Sequence, residues 1–396
     1  MSLHEVLDTV AEDPLLWSDF SALCDAGGRL AGSDSAASAF TFAAVRMAAI
    51  GPVRNEPTAY AGWTCQAARL EHRGRLLDCT PLLGSMPCED LALDVRDLGR
   101  GAPQPGRLDG LAVMARHEYP FATHTLHRRV KLAAATGAGA AAFLIVQPEA
   151  GVGPVSGPSG RAGGAGIPAL GISAEAADAL RGGGQARITI EAQDHPAQTP
   201  NLILELPGRG PGLVALSAHL DGHPLGESAL DNATGVAAAL CLARALAPHV
   251  AGLEHGLLLC LFGAEEWALA GSRAWLAGLD EERRERIVLN VNLDSIAGHP
   301  ALSALTSGFP GLPGMLRSAV PRLGIHEPLM ANSDHANFAA HGIPAARIIA
   351  GFNKPGSNLR YLLTAADRRQ LTSEAELRTA TLTAARLLWA GLTPLR

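Results

Sequence analysis

From Asn201 onward the chain alternates short, almost wholly apolar runs with stretches of helical length, and this alternation constrains the fold most strongly. Leu213 to Ala218, Gly256 to Phe262, Ile287 to Leu293 and Ala345 to Ala350 are too short for core helices. They are also too uniformly apolar for strands with one wet face, so they read as strands buried on both faces. Gly235 to Leu246 and Trp267 to Leu279 read as helices between them. Strands alternating with helices predict an α/β fold, here a three-layer α/β/α sandwich around a mostly parallel central sheet.

Ahead of Asn201 the pattern differs, and a length of 396 residues leaves room for a second domain. Residues 1 to about 50 read as helical, interrupted by Gly27-Gly28-Arg29-Leu30-Ala31-Gly32-Ser33. Residues 60 to 95 read as short strands with turns, and Gly99 to Gly106 as a loop. Arg128 to Ala142 reads as a helix, followed by a buried strand at Phe143 to Val146. Gly151 to Gly166 is expected to be a loop too rich in glycine to pack a core. Ile167 to Ile172 reads as a strand, with Ser173 capping a helix through Leu180. His124, His127, Arg128 and Arg129 read as a solvated face of this region.

Composition narrows the partners. Hydrophobic residues make up 47% of the chain, enough for a sizeable core. The formal net charge is −6 and no long basic run occurs, so no nucleic acid or anionic membrane partner is expected. No run approaches 18 uninterrupted apolar residues, so no membrane span is expected. The first residues lack a basic segment followed by an apolar one, so no secretory signal is expected. The six cysteines form no C-x-x-C pair, and Cys241 and Cys260 in apolar runs read as buried thiols. Together these features predict a reducing, cytoplasmic setting.

In open α/β sheets, sites form outside the carboxyl ends of strands. His219 stands at such an end, Asp294 at another, and Glu265-Glu266 just past a third. Each is ordinary alone. A lone His after a strand is usually a surface or capping residue, a lone Asp-Asn pair a turn, and Glu-Glu a solvated face. Delivered together to one rim, they form a metal-capable set. Zinc accepts imidazole nitrogen and carboxylate oxygen. A carboxylate can bridge two ions, and a neighbouring one can take a proton from water. Consecutive glutamates in an extended turn point in different directions, so one can ligate while the other faces substrate. Ser333-Asp334-His335 is not a nucleophilic triad, because adjacent side chains cannot converge. Gly163-Gly164-Ala165-Gly166 lacks the strand and helix of a dinucleotide loop.

Five segments then occur in order: His219-Leu220-Asp221, Asp231-Asn232-Ala233-Thr234-Gly235, Ala264-Glu265-Glu266 with Gly271-Ser272, Asn292-Leu293-Asp294, and Ser333-Asp334-His335. With Gly27 to Ser33 they resemble the co-catalytic zinc aminopeptidases, family twenty-eight of the metallopeptidases, which also includes glutamate carboxypeptidases and glutaminyl cyclases. The resemblance implies a discontinuous catalytic domain, residues 1–72 and 196–396. It also implies an inserted β-rich, protease-associated-like domain at 73–195 that would shape the substrate entrance. It implies that His219 and Asp294 ligate one zinc, that Asp231 bridges to a second, and that Glu266 ligates that second ion. Glu265 would be the general base. Asp221 would orient the His219 ring by accepting its other N–H, although a turn role before Gly222 is an equal reading.

One departure stands out. The family's last ligand is a histidine near the C-terminus, and in Tyr361-Leu362-Leu363-Thr364-Ala365-Ala366-Asp367 its place is taken by Leu363. The second ion is left with Asp231 and Glu266, so one tight zinc and a weak or empty second site are expected. His335 and His341 are the nearest replacement ligands by sequence. The implied activity is aminopeptidase hydrolysis of short peptides. A carboxypeptidase would need a cation for the substrate carboxylate, with Arg347, Lys354 and Arg360 as candidates. A degenerate peptide-binding protein would explain Leu363 but not the retention of Glu265.

Overall fold

The computed structural model describes residues 2–102, 108–161 and 164–393. It divides into two compact units. The first comprises Met1–Tyr60, Gln198–Leu359 and Asp367–Arg396, and the second Ala61–Ala197 with Arg360–Ala366. The second unit therefore begins about a dozen residues earlier than expected from sequence. It also takes in a C-terminal segment that carries Leu363.

The first unit is built on an eight-stranded mixed sheet. Its order is Val53–Asn55, Leu202–Leu206, Gly256–Phe262, Leu213–His219, Ile287–Leu293, Ala345–Ala350, Leu302–Leu305 and Gly324–His326. The four central strands pair in parallel, as the apolar runs predict. Antiparallel pairs flank them, so the sheet as a whole is mixed. Successive residues of Gly256–Phe262 enter two different cores. Leu257, Leu259 and Leu261 pack with the helices Leu3–Glu12, Leu16–Asp25, Thr234–Leu246 and Glu374–Leu392. Leu258, Cys260 and Phe262 pack with Trp275, Leu276 and Phe338 from the other face. Period-2 alternation into two cores is what a sheet covered by helices on both sides requires.

The helix Thr234–Leu246 belongs to the largely apolar stretch Ala229–Leu246. Among the described residues this is the one stretch long and apolar enough to cross a membrane, and 94% of it is buried within the fold. The helix expected at 267–279 begins only at Ala270, because Ala268 and Leu269 hold φ near +60° and turn the chain instead. Cys24, Cys241 and Cys260 are buried, and all six cysteines are free thiols.

The second unit holds its own eight-stranded sheet, with a parallel centre formed by Cys88–Asp97, Leu111–Arg116, Ala142–Val146 and Ala169–Ile172. The helix Arg128–Gly137 stops short of Ala142, where Gly139 at φ +84° breaks it. Ser173 caps the helix Ala174–Arg181 by accepting from the Ala176 N–H. Two expectations need correction. Arg128 is not solvated: it is buried and donates to the Ser156 carbonyl at 3.0 Å. His124 and Arg129 are exposed, while half-buried His127 caps the helix. The glycine-rich loop does pack a core in part, since Val155 is buried beside Leu82, Leu108 and Phe143. Gly171 permits this, because a Cβ there would lie 1.7 Å from the Val155 carbonyl oxygen. Parts of the loops expected at 99–106 and 151–166 fall outside the described residues.

Candidate active site

His219 is the last residue of the strand Leu213–His219, buried to 1% exposure. Its Nε2 lies 3.1 Å from Asp231 Oδ1 and 3.5 Å from Asp294 Oδ1. Its Nδ1 lies 3.1 Å from the backbone carbonyl of Asp221. The expectation that the Asp221 carboxylate takes this bond is therefore corrected, since that carboxylate stands 3.7 Å away. It accepts instead the backbone N–H of Glu265 at 3.0 Å and of Glu266 at 3.2 Å. Asp221 thus holds the turn beyond Gly256–Phe262, where Ala264 adopts φ +51° and swings both glutamates toward His219.

Asp231 sits in the distorted helical turn Ala229–Ala233. Asp367 fixes that turn by accepting the N–H of Leu230 at 2.9 Å and of Asp231 at 3.3 Å. Asn232 ties the turn to the strand Ile287–Leu293. Its side chain donates to the Leu293 carbonyl at 2.9 Å and accepts from Ser295 N–H at 3.2 Å. Asp294 follows that strand and pairs with buried Arg347 at 3.0 Å. Burial alone would raise the Asp294 pKa, but Arg347 and His219 outweigh it and hold the carboxyl below its ordinary range.

Charge in the site is unbalanced. Burial, reinforced by neighbouring carboxylates, pushes Glu265 and Glu266 well above the ordinary carboxylate range. For His219 burial acts downward, but the surrounding carboxylates raise its pKa well above normal. A buried excess of acidic groups calls for a cation. The geometry fits one. His219, Glu265 and Asp294 form one trio and His219, Asp231 and Glu266 another, with candidate ligand atoms within 4.8 Å of one another in each. His219 Nε2 and Glu266 Oε1 are buried without a hydrogen-bond partner of good geometry. Imidazole plus carboxylates is a donor set that zinc accepts.

His335 does not join either trio. It is fully buried, and burial beside Arg347 lowers its pKa to about 3. His341 caps its own helix, with Nδ1 2.9 Å from the Asn337 carbonyl. The sequence reading missed His223. It is 1% exposed, and its Nε2 lies 2.6 Å from Glu266 Oε1. The spacing His219-x-x-x-His223 was the available signal. Leu363 is half-buried in the second unit, where it packs against the cluster containing Val155 and Phe143.

Residues 201–388 match Peptidase family M28. The aminopeptidase YwaD of Bacillus subtilis is 28% identical over 197 residues, covering 47% of this chain and 43% of that protein. The chain spans about half the length, or less, of the curated relatives it matches first. Among solved structures, the fold is similar to BSAP, a zinc aminopeptidase from Bacillus subtilis. That match has a TM-score of 0.77 at 23% identity and covers 96% of this chain and 95% of that one. It is also similar to a peptidase M28 precursor from Shewanella amazonensis, with a TM-score of 0.82 at 19% identity over 100% and 96% of the two chains.

Proposed function

We propose that the chain, whose residues 201–388 match Peptidase family M28, is a zinc-dependent aminopeptidase releasing the N-terminal residue of short peptides. The observation that carries this reading is the convergence of His219, Asp231, Glu265, Glu266 and Asp294 into two trios sharing one imidazole. The names of its relatives support the same reading.

In this reading His219, Asp231 and Asp294 would hold one ion, and Asp231 with Glu266 would face a second. Bound zinc supplies Lewis-acid polarisation of the scissile carbonyl and acidifies water for attack. Glu265 takes the proton from that water on its carboxylate and passes it to the leaving amine. The negative charge of Glu266 holds the free amine of the substrate. Asp221 keeps Glu265 and Glu266 in register through their backbone N–H groups. Arg347 fixes Asp294. The second unit is assigned to the protease-associated type, a reading that rests on the sequence resemblance.

The carboxypeptidase alternative loses a candidate, because Arg347 is committed to Asp294 and to the Asn332 carbonyl rather than to a substrate carboxylate. Dialysis against a chelator tests the proposal. It should abolish hydrolysis of aminoacyl substrates, and zinc should restore it. Undiminished activity after complete metal removal would overturn it.

A further inference from the structure

We propose that His223 is the imidazole ligand of the second metal ion, acting with Glu266 and the shared Asp231. The inference rests on the peptidase reading above and assigns a residue to it. The second ion would otherwise have two carboxylates, one of them shared. Leu363 offers no donor atom, and its side chain packs into the apolar core of the second unit.

Three observations carry the assignment. First, His223 Nε2 and Glu266 Oε1 stand 2.6 Å apart and both residues are deeply buried, so the ring nitrogen is in direct contact with a carboxylate of the candidate metal group. Glu266 in turn belongs to the trio with Asp231 and His219. His223 itself belongs to neither trio, but its contact with Glu266 puts a ring nitrogen beside one of the second trio's donors, and imidazole nitrogen is a preferred zinc donor.

Second, the backbone of His223 is held from several sides. Its N–H donates to Ser228 Oγ at 3.0 Å, and Ser228 Oγ donates to the Gly28 carbonyl at 3.2 Å. Gly28 lies directly against the His223 carbonyl, where a Cβ would come within 1.9 Å of the oxygen. Gly222 is equally confined, since a Cβ there would stand 2.6 Å from both Gly28 O and Ser228 Oγ.

Third, Arg29 clamps both ends of the loop that carries His223. Its guanidinium donates to the carbonyl of Leu220 at 3.0 Å on one side, and to those of Glu227 at 2.8 Å and Ser228 at 2.7 Å on the other. Such a framework fixes a ring whose position matters. The motif Gly27-Gly28-Arg29 thereby acquires a role in positioning a ligand loop.

A positioning role for His223, donating a hydrogen bond to Glu266 without touching metal, would use the same contact, and the experiment separates the two. Zinc bound at equilibrium under buffered free zinc is counted for the wild type, His223→Ala and His223→Gln. Glutamine keeps a donor for Glu266 but is a poor zinc ligand. Zinc-edge X-ray absorption of the fully loaded wild type counts imidazoles. The proposal expects two equivalents in the wild type, with one imidazole per zinc on average. Both variants should keep one tight equivalent and bind the second about 100-fold or more weakly, since losing a direct ligand exceeds the 10- to 100-fold of an indirect partner. Retention of two equivalents by His223→Gln, or half an imidazole per zinc in the wild type, overturns the assignment and leaves the peptidase reading standing. A wild type that binds no zinc overturns both. Should a variant fail to fold, absorption on the wild type alone decides.

Discussion

The Asp221 carboxylate accepts the backbone N–H groups of both Glu265 and Glu266, at 3.0 and 3.2 Å. One buried side chain thus sets the direction of both glutamates together, the proposed base and a proposed metal ligand. Asp221→Ala leaves two buried N–H groups unsatisfied and frees the turn. Metal affinity and kcat should each fall by about 10- to 100-fold. Asp221→Asn keeps one acceptor oxygen and should lose less. Zinc titration with steady-state kinetics on both variants checks this ordering.

Glu265 should behave differently from its neighbour. Glu265→Gln preserves shape and removes the proton acceptor, so kcat should drop by about 10²-fold or more. Zinc content should stay at the wild-type level, measured on the same preparation. Loss of metal together with activity would mean that the roles of Glu265 and Glu266 are exchanged.

Arg347 is 1% exposed and pairs with Asp294 at 3.0 Å. Arg347→Met removes the largest of the charges that hold that buried carboxylate and leaves His219 as its remaining charged partner, which should cost up to about 3–5 kcal/mol in the metal-free protein. The pH dependence follows from the depressed pKa of Asp294. Its stabilising contribution is present above the ordinary carboxylate pKa and is lost as pH falls through the lower folded-state value. Urea unfolding across pH should show this acid limb in the wild type and a weaker one in the variant.

Gly28→Ala would place a methyl group 1.9 Å from the His223 carbonyl oxygen, so the backbone must shift. The expected cost is on the order of 1–3 kcal/mol. The second zinc equivalent should weaken while the first, assigned by the proposal to His219, Asp231 and Asp294, remains. Equal weakening of both would show that the Gly28 contact does not act through His223.

The sheet and its site were legible to different degrees. The strands ending at His219 and Asp294 were read because burial on both faces leaves uninterrupted apolar runs. The turn carrying Glu265 follows from the same signal. The register of Asp231 was not readable from periodicity, since its segment is a distorted turn held by Asp367 from more than a hundred residues away. His223 escaped because a lone histidine in a loop is seldom a ligand, and only the fold brings it to Glu266. The membership of residues 360–366 in the second unit was hidden for the same reason, as sequence distance conceals it. Arg128 was misread because a charged residue at a helix start usually faces water, whereas here a backbone carbonyl accepts its guanidinium.

The central claim is an aminopeptidase that needs its metal and a free substrate amine. The most direct measurement compares hydrolysis of one short peptide with its N-terminus free and the same peptide N-acetylated, using zinc-loaded protein. The account predicts rapid cleavage of the free peptide, little or none of the acetylated one, and loss of cleavage of the free peptide after chelation. Equal rates on the two peptides, or no cleavage of either by zinc-loaded protein, would contradict it.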